Sequence, residues 1–142
     1  MKKLPPIEKV FEAWTAIADQ RIAIHNGYAD IKSSDGEKTY IVRFRDDRYS
    51  SDDNATYWQG YPGYPVIAVL MLQNRLPYNP QEAELWKNIN WTSLNEKYKN
   101  NYAKAVEEIA TERGIDLTKS MGEAEKVMES LKLLPIEIKR KI

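Results

Sequence analysis

The stretch Ile22–Phe44, IAIHNGYADIKSSDGEKTYIVRF, decides the fold, because it carries two hairpin signals that can be checked against each other. Asn26-Gly27 and Asp35-Gly36 can each supply the positive φ angles that a tight two-residue turn demands. A turn at Asn26-Gly27 sets Ile24 opposite Ala29 and Ile22 opposite Ile31. A turn at Asp35-Gly36 sets Ile31 opposite Tyr40 and Ala29 opposite Val42. Opposed residues share a face and side chains alternate with period two, so both registers put Ile22, Ile24, Ala29, Ile31, Tyr40, Val42 and Phe44 on one side. Two separate turn assignments converge on one apolar face, which predicts a three-stranded antiparallel meander over residues 21–45.

The same registers order the opposite face. Arg21, Lys32 and Thr39 form one cross-strand row, Ala23, Asp30 and Ile41 a second, and His25, Tyr28 and Arg43 a third, with Arg45 beyond them. The free side of a one-sided antiparallel sheet is expected to be polar. A row of His, Tyr and Arg can also donate hydrogen bonds to an anion or stack on a base.

Outward from the meander, the spacing of Ile7, Val10, Phe11, Trp14, Ile17 and Ala18 predicts an amphipathic helix over residues 7–20, with Pro5 and Pro6 at its start. Residues 46–54, DDRYSSDDN, read as a polar surface loop, and Ala55–Gln59 as an optional fourth strand, for a meander of three or four strands ending at residue 59. On strand alternation, Tyr57 and Trp58 point to opposite sides, one toward the basic face and one inward. The stretch ATYWQGYPGYP, residues 55–65, then reads as a packed hinge into Val66–Leu72, which is apolar on every side. That run is read as a buried helix because Pro65 suits its first position, with a buried strand as the rival.

Capping boxes at Asn79–Glu82, Ser93–Glu96 and Ser120–Glu123 predict further helix starts, the second opening a helix over Leu94–Arg113 that stops at Gly114. The third predicts a helix over Met121–Leu133. About four helices are expected over residues 65–134, followed by a basic tail at 135–142. The fold class is therefore α+β: one domain over residues 1–142, with helices covering the apolar sheet face. The order helix, three strands, helix is similar in topology to the double-stranded RNA-binding domain. That family presents a lysine-rich helix start to phosphates, whereas Gly63–Ala68 has no basic residue, so no functional residue is carried over.

Composition narrows the function classes. The chain has 142 residues, with 21 Lys+Arg against 21 Asp+Glu, no cysteine and one histidine. A balanced charge gives no global field toward nucleic acid or an anionic membrane. Thiol chemistry is excluded, and a single His25 argues against zinc or His-carboxylate metal sites. The acidic residues Asp46, Asp47, Asp52 and Asp53 do not follow calcium-loop spacing, and no phosphate-binding glycine motif is present. No cofactor and no metal are expected. With no apolar h-region at the start and no bilayer-length apolar run, the reading is a soluble cytoplasmic protein without membrane contact.

The function expected from these residues is a non-catalytic binding or regulatory module. Its candidate ligand-binding residues are His25, Tyr28, Lys32, Arg43 and Arg45 on the sheet face, with Tyr57 and Trp58 beside it, facing nucleic acid or an acidic protein or peptide. The alternative is a small cofactor-free hydrolase or isomerase using His25 with Asp30. A third reading is a structural protein whose exposed tyrosines form a homo-oligomer contact.

Overall fold

The computed structural model describes residues 3–142. The first helix, α1 (Glu8–Ala18), sits at the centre of the molecule and buries Val10, Phe11, Ala13 and Trp14. Phe11 meets Trp14 and Trp86 edge-on, with ring centroids 5.0 and 4.6 Å apart.

The meander forms in the predicted register. Strands β1 (Ile22–Ile24), β2 (Tyr28–Lys32) and β3 (Thr39–Arg45) pair Ile24 with Ala29, Ile31 with Tyr40, and Ala29 with Val42. Gly27 and Gly36 take φ of 84° and 76°. The β2–β3 connection is longer than two residues, spanning 33–38 and closed by the Ser33 N–H to Lys38 carbonyl bond at 2.9 Å, yet its centre and hence the register are as predicted. Ala29, Ile31 and Val42 are fully buried beneath the helices.

Beyond β3 the expectations need correction. Residues 46–54 are not a surface loop: a turn at Asp46-Asp47 leads straight back into β4 (Arg48–Ser51), which pairs Phe44 with Tyr49 and Arg45 with Arg48. Asp46 adopts φ 55°, a left-handed conformation that aspartate tolerates better than most residues. Tyr49 is buried on the covered face, its hydroxyl donating to Gln73 Oε1 at 2.6 Å and accepting from Arg75 at 3.0 Å. Ala55–Gln59 is not a fourth strand but a π-helical turn. Asp53 forces the turn: its carboxylate accepts the Ser51 hydroxyl and, at 3.0 Å, the Thr56 N–H, so the chain curls away from the sheet edge. The basic tail also joins the sheet. Its β5 (Glu137–Ile138) runs parallel to β4, and Ile136 is buried, giving a mixed sheet in the order β1-β2-β3-β4-β5.

Five helices, rather than four, follow. In α2 (Tyr64–Leu72), Pro65 lies in the first turn and every residue from Pro65 to Met71 is buried, as an element apolar on all sides requires. Its start is therefore no surface for a phosphate backbone. The helix α3 (Pro80–Leu85) is capped by Asn79, whose Oδ1 accepts the Glu82 N–H at 3.1 Å. The predicted helix over Leu94–Arg113 is two: α4 (Trp91–Lys97), capped by Asn90, and α5 (Tyr102–Arg113), capped by Asn101. Lys99 and Asn100 between them take φ of 50° and 64°, which breaks the helix without glycine or proline. The last helix, α6 (Leu117–Leu133), starts earlier than its predicted box because Asp116 caps it, and Ser120 lies buried inside it. Gly114 ends α5 at φ 66°. No helix among the described residues is long and apolar enough to cross a membrane.

Candidate functional site

A cleft of about 810 Å³ opens between α1, the covered side of the sheet and α4. Two charged residues from α1 form its floor. Lys9 and Glu12 stand three apart on the helix, so their side chains meet, with Nζ 3.3 Å from Oε2. Those side chains are only 9% and 7% exposed. The Lys9 ammonium also lies 4.2 Å from the centre of the Tyr102 ring, and Glu12 Oε2 accepts from Asn95 Nδ2 at 3.4 Å. Burial pulls the Lys9 pKa down, but the Glu12 carboxylate and Tyr102 outweigh it and leave the pKa above its ordinary value. Lys9 is thus a fixed cation at neutral pH.

The opposite wall is the segment that follows β4. Asp53 is buried and borders the cleft, and the π-helical turn carries Trp58, 65% exposed, to its rim. Gly60 at φ 77° closes that turn. Gly63 then brings the chain back against Asp53 so closely that a Cβ there would stand 2.4 Å from Asp53 Oδ2. Its N–H donates to the Thr56 hydroxyl at 2.9 Å. Tyr61 and Tyr64 face the cleft from this loop, and Tyr40 of β3 meets Tyr64 edge-on at 6.3 Å. Burial raises the pKa of Tyr40, Tyr61 and Tyr64; for Tyr64 the rise is large even though the Arg21 charge opposes it. These phenols are therefore neutral hydrogen-bonding groups at ordinary pH.

Polar groups in the cleft are incompletely satisfied. No hydrogen bond joins the hydroxyls of Tyr40, Tyr61 or Tyr102 to another described residue. Asn95 Oδ1 is buried without a hydrogen-bond partner, while Arg21 donates to the Lys32 carbonyl, lies 3.7 Å from Asp19 Oδ2 and interacts with the Tyr64 hydroxyl. The charges around the cleft cancel: Lys9, Arg21 and Lys99 stand against Glu12, Asp53 and Glu96.

The residues singled out in the sequence fall in two places. On the open sheet face, His25 Nε2 is 2.9 Å from Asp30 Oδ2 and the His25 ring stacks on Tyr28 with centroids 4.6 Å apart. Tyr28 stands opposite Arg43, Lys32 opposite Thr39, and Arg45 opposite Arg48, all exposed. His25 and Asp30 line no part of the cleft. Tyr57 and Trp58 do not alternate across a strand. Both ride the π-helical turn with their rings 4.8 Å apart, and the Arg140 guanidinium lies 5.2 and 5.5 Å from them. Of the predicted residues, only Trp58 reaches the cleft.

Lys9, Glu12, Tyr61, Tyr64 and Asn95 were not anticipated as site residues, while Arg21, expected on the polar sheet face, and Asp53, expected in an acidic surface loop, both turn into the cleft instead. Lys9 and Glu12 lie on the polar side of α1, which reads as solvent-facing, and only the later chain closes over it. The acidic residues disperse: Asp47 pairs with Arg75 at 2.7 Å, Asp52 accepts the Ile41 N–H at 2.9 Å, and Asp53 turns inward. Among the described residues no three His, Cys, Asp or Glu side chains converge as metal ligands would.

Residues 2–137 match the model of the family described as uncharacterised conserved protein UCP014422, and the chain belongs to that family. No curated protein and no solved structure matches it.

Proposed function

We propose that the protein is a non-catalytic binding module whose site is the cleft between α1, the π-helical turn and α4. Its ligand is small, carries no net charge and is rich in hydroxyl or amide groups, as a sugar or a nucleoside is. The observation that carries this reading is the combination of cancelled charges with unpaired hydrogen-bonding groups. An ionic ligand would have to break the buried Lys9–Glu12 pair, which is costly. A neutral, hydroxylated one would instead exchange hydrogen bonds with the tyrosine hydroxyls that line the cleft and with Asn95, whose Oδ1 is buried without a partner, an arrangement that costs about 1–3 kcal/mol. The volume of about 810 Å³ suits a small ligand, and the Trp58 ring offers an apolar plane at the rim.

Binding is favoured over turnover because Lys9 is held protonated and engaged by Glu12, which leaves no free amine as a nucleophile or base. The test is isothermal titration of the full chain against neutral mono- and disaccharides and nucleosides, with free amino acids and sugar phosphates as charged controls. A neutral member should bind saturably. Trp58→Ala, which removes a mostly exposed ring and should leave the fold intact, should weaken it by about tenfold or more, since aromatic stacking is worth about 1–3 kcal/mol. Preference for a charged control, no binding by any neutral member, or binding indifferent to both Trp58→Ala and Asn95→Ala would defeat the proposal.

A further inference from the structure

We infer that the open face of the sheet is a second, independent binding surface, and that its occupant is a single-stranded nucleic acid held by its phosphates. The register places Lys32, Arg43, Arg45 and Arg48 on that face, with Arg45 directly opposite Arg48. Like charges set opposite each other across two strands are destabilising, and relief from carboxylates is partial: Glu137 feels the Arg48 charge but is already paired with Lys139. Asp30 is occupied by His25 at 2.9 Å, Asp47 by Arg75 at 2.7 Å, and Glu137, opposite Arg48, by Lys139 at 3.0 Å. Asp46, in the turn between the two arginines, is the remaining nearby carboxylate. Arg43 and Arg45 are exposed and make no hydrogen bond or ion pair with any described residue. The sheet therefore presents two cations, Arg43 and Arg45, open to a partner from outside.

The spacing and the neighbouring rings choose among anions. Arg43 and Arg45 lie two residues apart on one strand, about 7 Å along it, with Arg48 one strand across, about 5 Å away. Beside them the His25 and Tyr28 rings stack at 4.6 Å, and Tyr28 is the cross-strand partner of Arg43. Guanidinium groups in a row next to a planar aromatic pair are the two parts that non-specific single-strand binding combines, one for phosphates and one for bases. An acidic peptide offers carboxylates but no planar groups for the rings. A duplex is read by an element that enters a groove, whereas these cations stand on paired strands inside a five-stranded sheet.

Fluorescence anisotropy with labelled ten-nucleotide oligo-dT and oligo-U, on the full chain, tests this. Saturable binding is expected at 50 mM salt. Three phosphate contacts imply a slope of about −2 in log affinity against log salt, so affinity should fall about 20-fold by 200 mM. Arg43→Ala/Arg45→Ala should weaken binding at least tenfold and flatten that slope. Tyr28→Ala should weaken it with the slope unchanged, while Trp58→Ala should leave it unaltered, which separates this face from the cleft. No saturable binding at 50 mM, binding indifferent to the double arginine substitution, or tighter binding of a poly-glutamate peptide or anionic vesicles would overturn the inference. All three variants change exposed residues, and circular dichroism verifies their folding.

Discussion

Removing the Lys9 charge gives the sharpest check on the floor of the cleft. At 3.3 Å and an effective dielectric near 20, the Lys9–Glu12 attraction is about 5 kcal/mol before desolvation is subtracted. Both residues are buried, so Lys9→Met leaves Glu12 with only the 3.4 Å contact from Asn95. Breaking one side of such a pair typically costs about 3–5 kcal/mol, and the open cleft above this one argues for the lower figure, about 3 kcal/mol. Glu12→Gln should cost a similar amount by stranding the ammonium. The double variant Lys9→Met/Glu12→Gln removes both charges at once and should be more stable than the sum of the single losses by about 2 kcal/mol. Urea unfolding followed by circular dichroism measures all three, and a 3 kcal/mol loss should move the midpoint by about 1.5 M at a typical slope of about 2 kcal/mol per molar. If Lys9→Met costs less than about 0.5 kcal/mol, or if the single losses simply add, the pair is water-screened and the case for a neutral ligand loses its foundation.

Two glycine substitutions should move stability in opposite directions. Gly63→Ala puts a methyl 2.4 Å from Asp53 Oδ2 and should cost about 1–3 kcal/mol, seen as a lower melting temperature. Gly122→Ala, inside α6 with nothing within 4 Å of the added carbon, should gain about 0.5–1 kcal/mol in the same melt. Alkaline pH should unfold the protein. Tyr40, Tyr61, Tyr64 and Lys9 all have folded pKa values above their unfolded ones, so their contribution is complete below the unfolded values of 10.0 and 10.5 and is lost as pH rises beyond them. Urea midpoints should be level from pH 8 to 9.5 and fall above pH 10. A midpoint that rises there would reverse the sign assigned to these groups.

How far the sequence could be read depended on whether each turn announced itself. Asn26-Gly27 and Asp35-Gly36 carry glycine where φ is positive, so β1 to β3 could be registered to the residue. Asp46-Asp47 makes the same kind of turn without glycine, and β4 hides its one large apolar residue, Tyr49, among serines and charges. The Lys99-Asn100 break escaped although asparagine is one of the residues that end helices in the left-handed conformation, because the apolar spacing runs on past it from Leu94 to Ile109. The π-helical turn followed from local side-chain bonding by Asp53, to residues two before and three after it, which overrides the strand propensity of Ala55–Gln59. Of the cleft, only its rim residue Trp58 could be nominated. Lys9, Tyr40, Asp53 and Asn95 come from four separate elements, and a polar residue on a helix looks the same whether it faces water or a cleft.

The aromatic segment ATYWQGYPGYP shows how the core and the cleft depend on each other. Its last residue, Pro65, opens a helix buried on every side, so the end at Tyr64 is fixed by the hydrophobic core. Its beginning is fixed by Asp53, which ties Ser51, Thr56 and, through close approach, Gly63 into one knot. Between two anchored ends the chain can only loop outward, and that loop is what lifts Trp58 to 65% exposure at the rim. A large indole held in water by a rigid base has already met part of the ordering cost of binding, which is what a recognition site requires. Were the same ring on a free loop, it would gain most by folding into the core. Its exposure on an anchored turn is therefore an argument for a ligand, and it makes Trp58 the residue at which the cleft proposal is most directly tested.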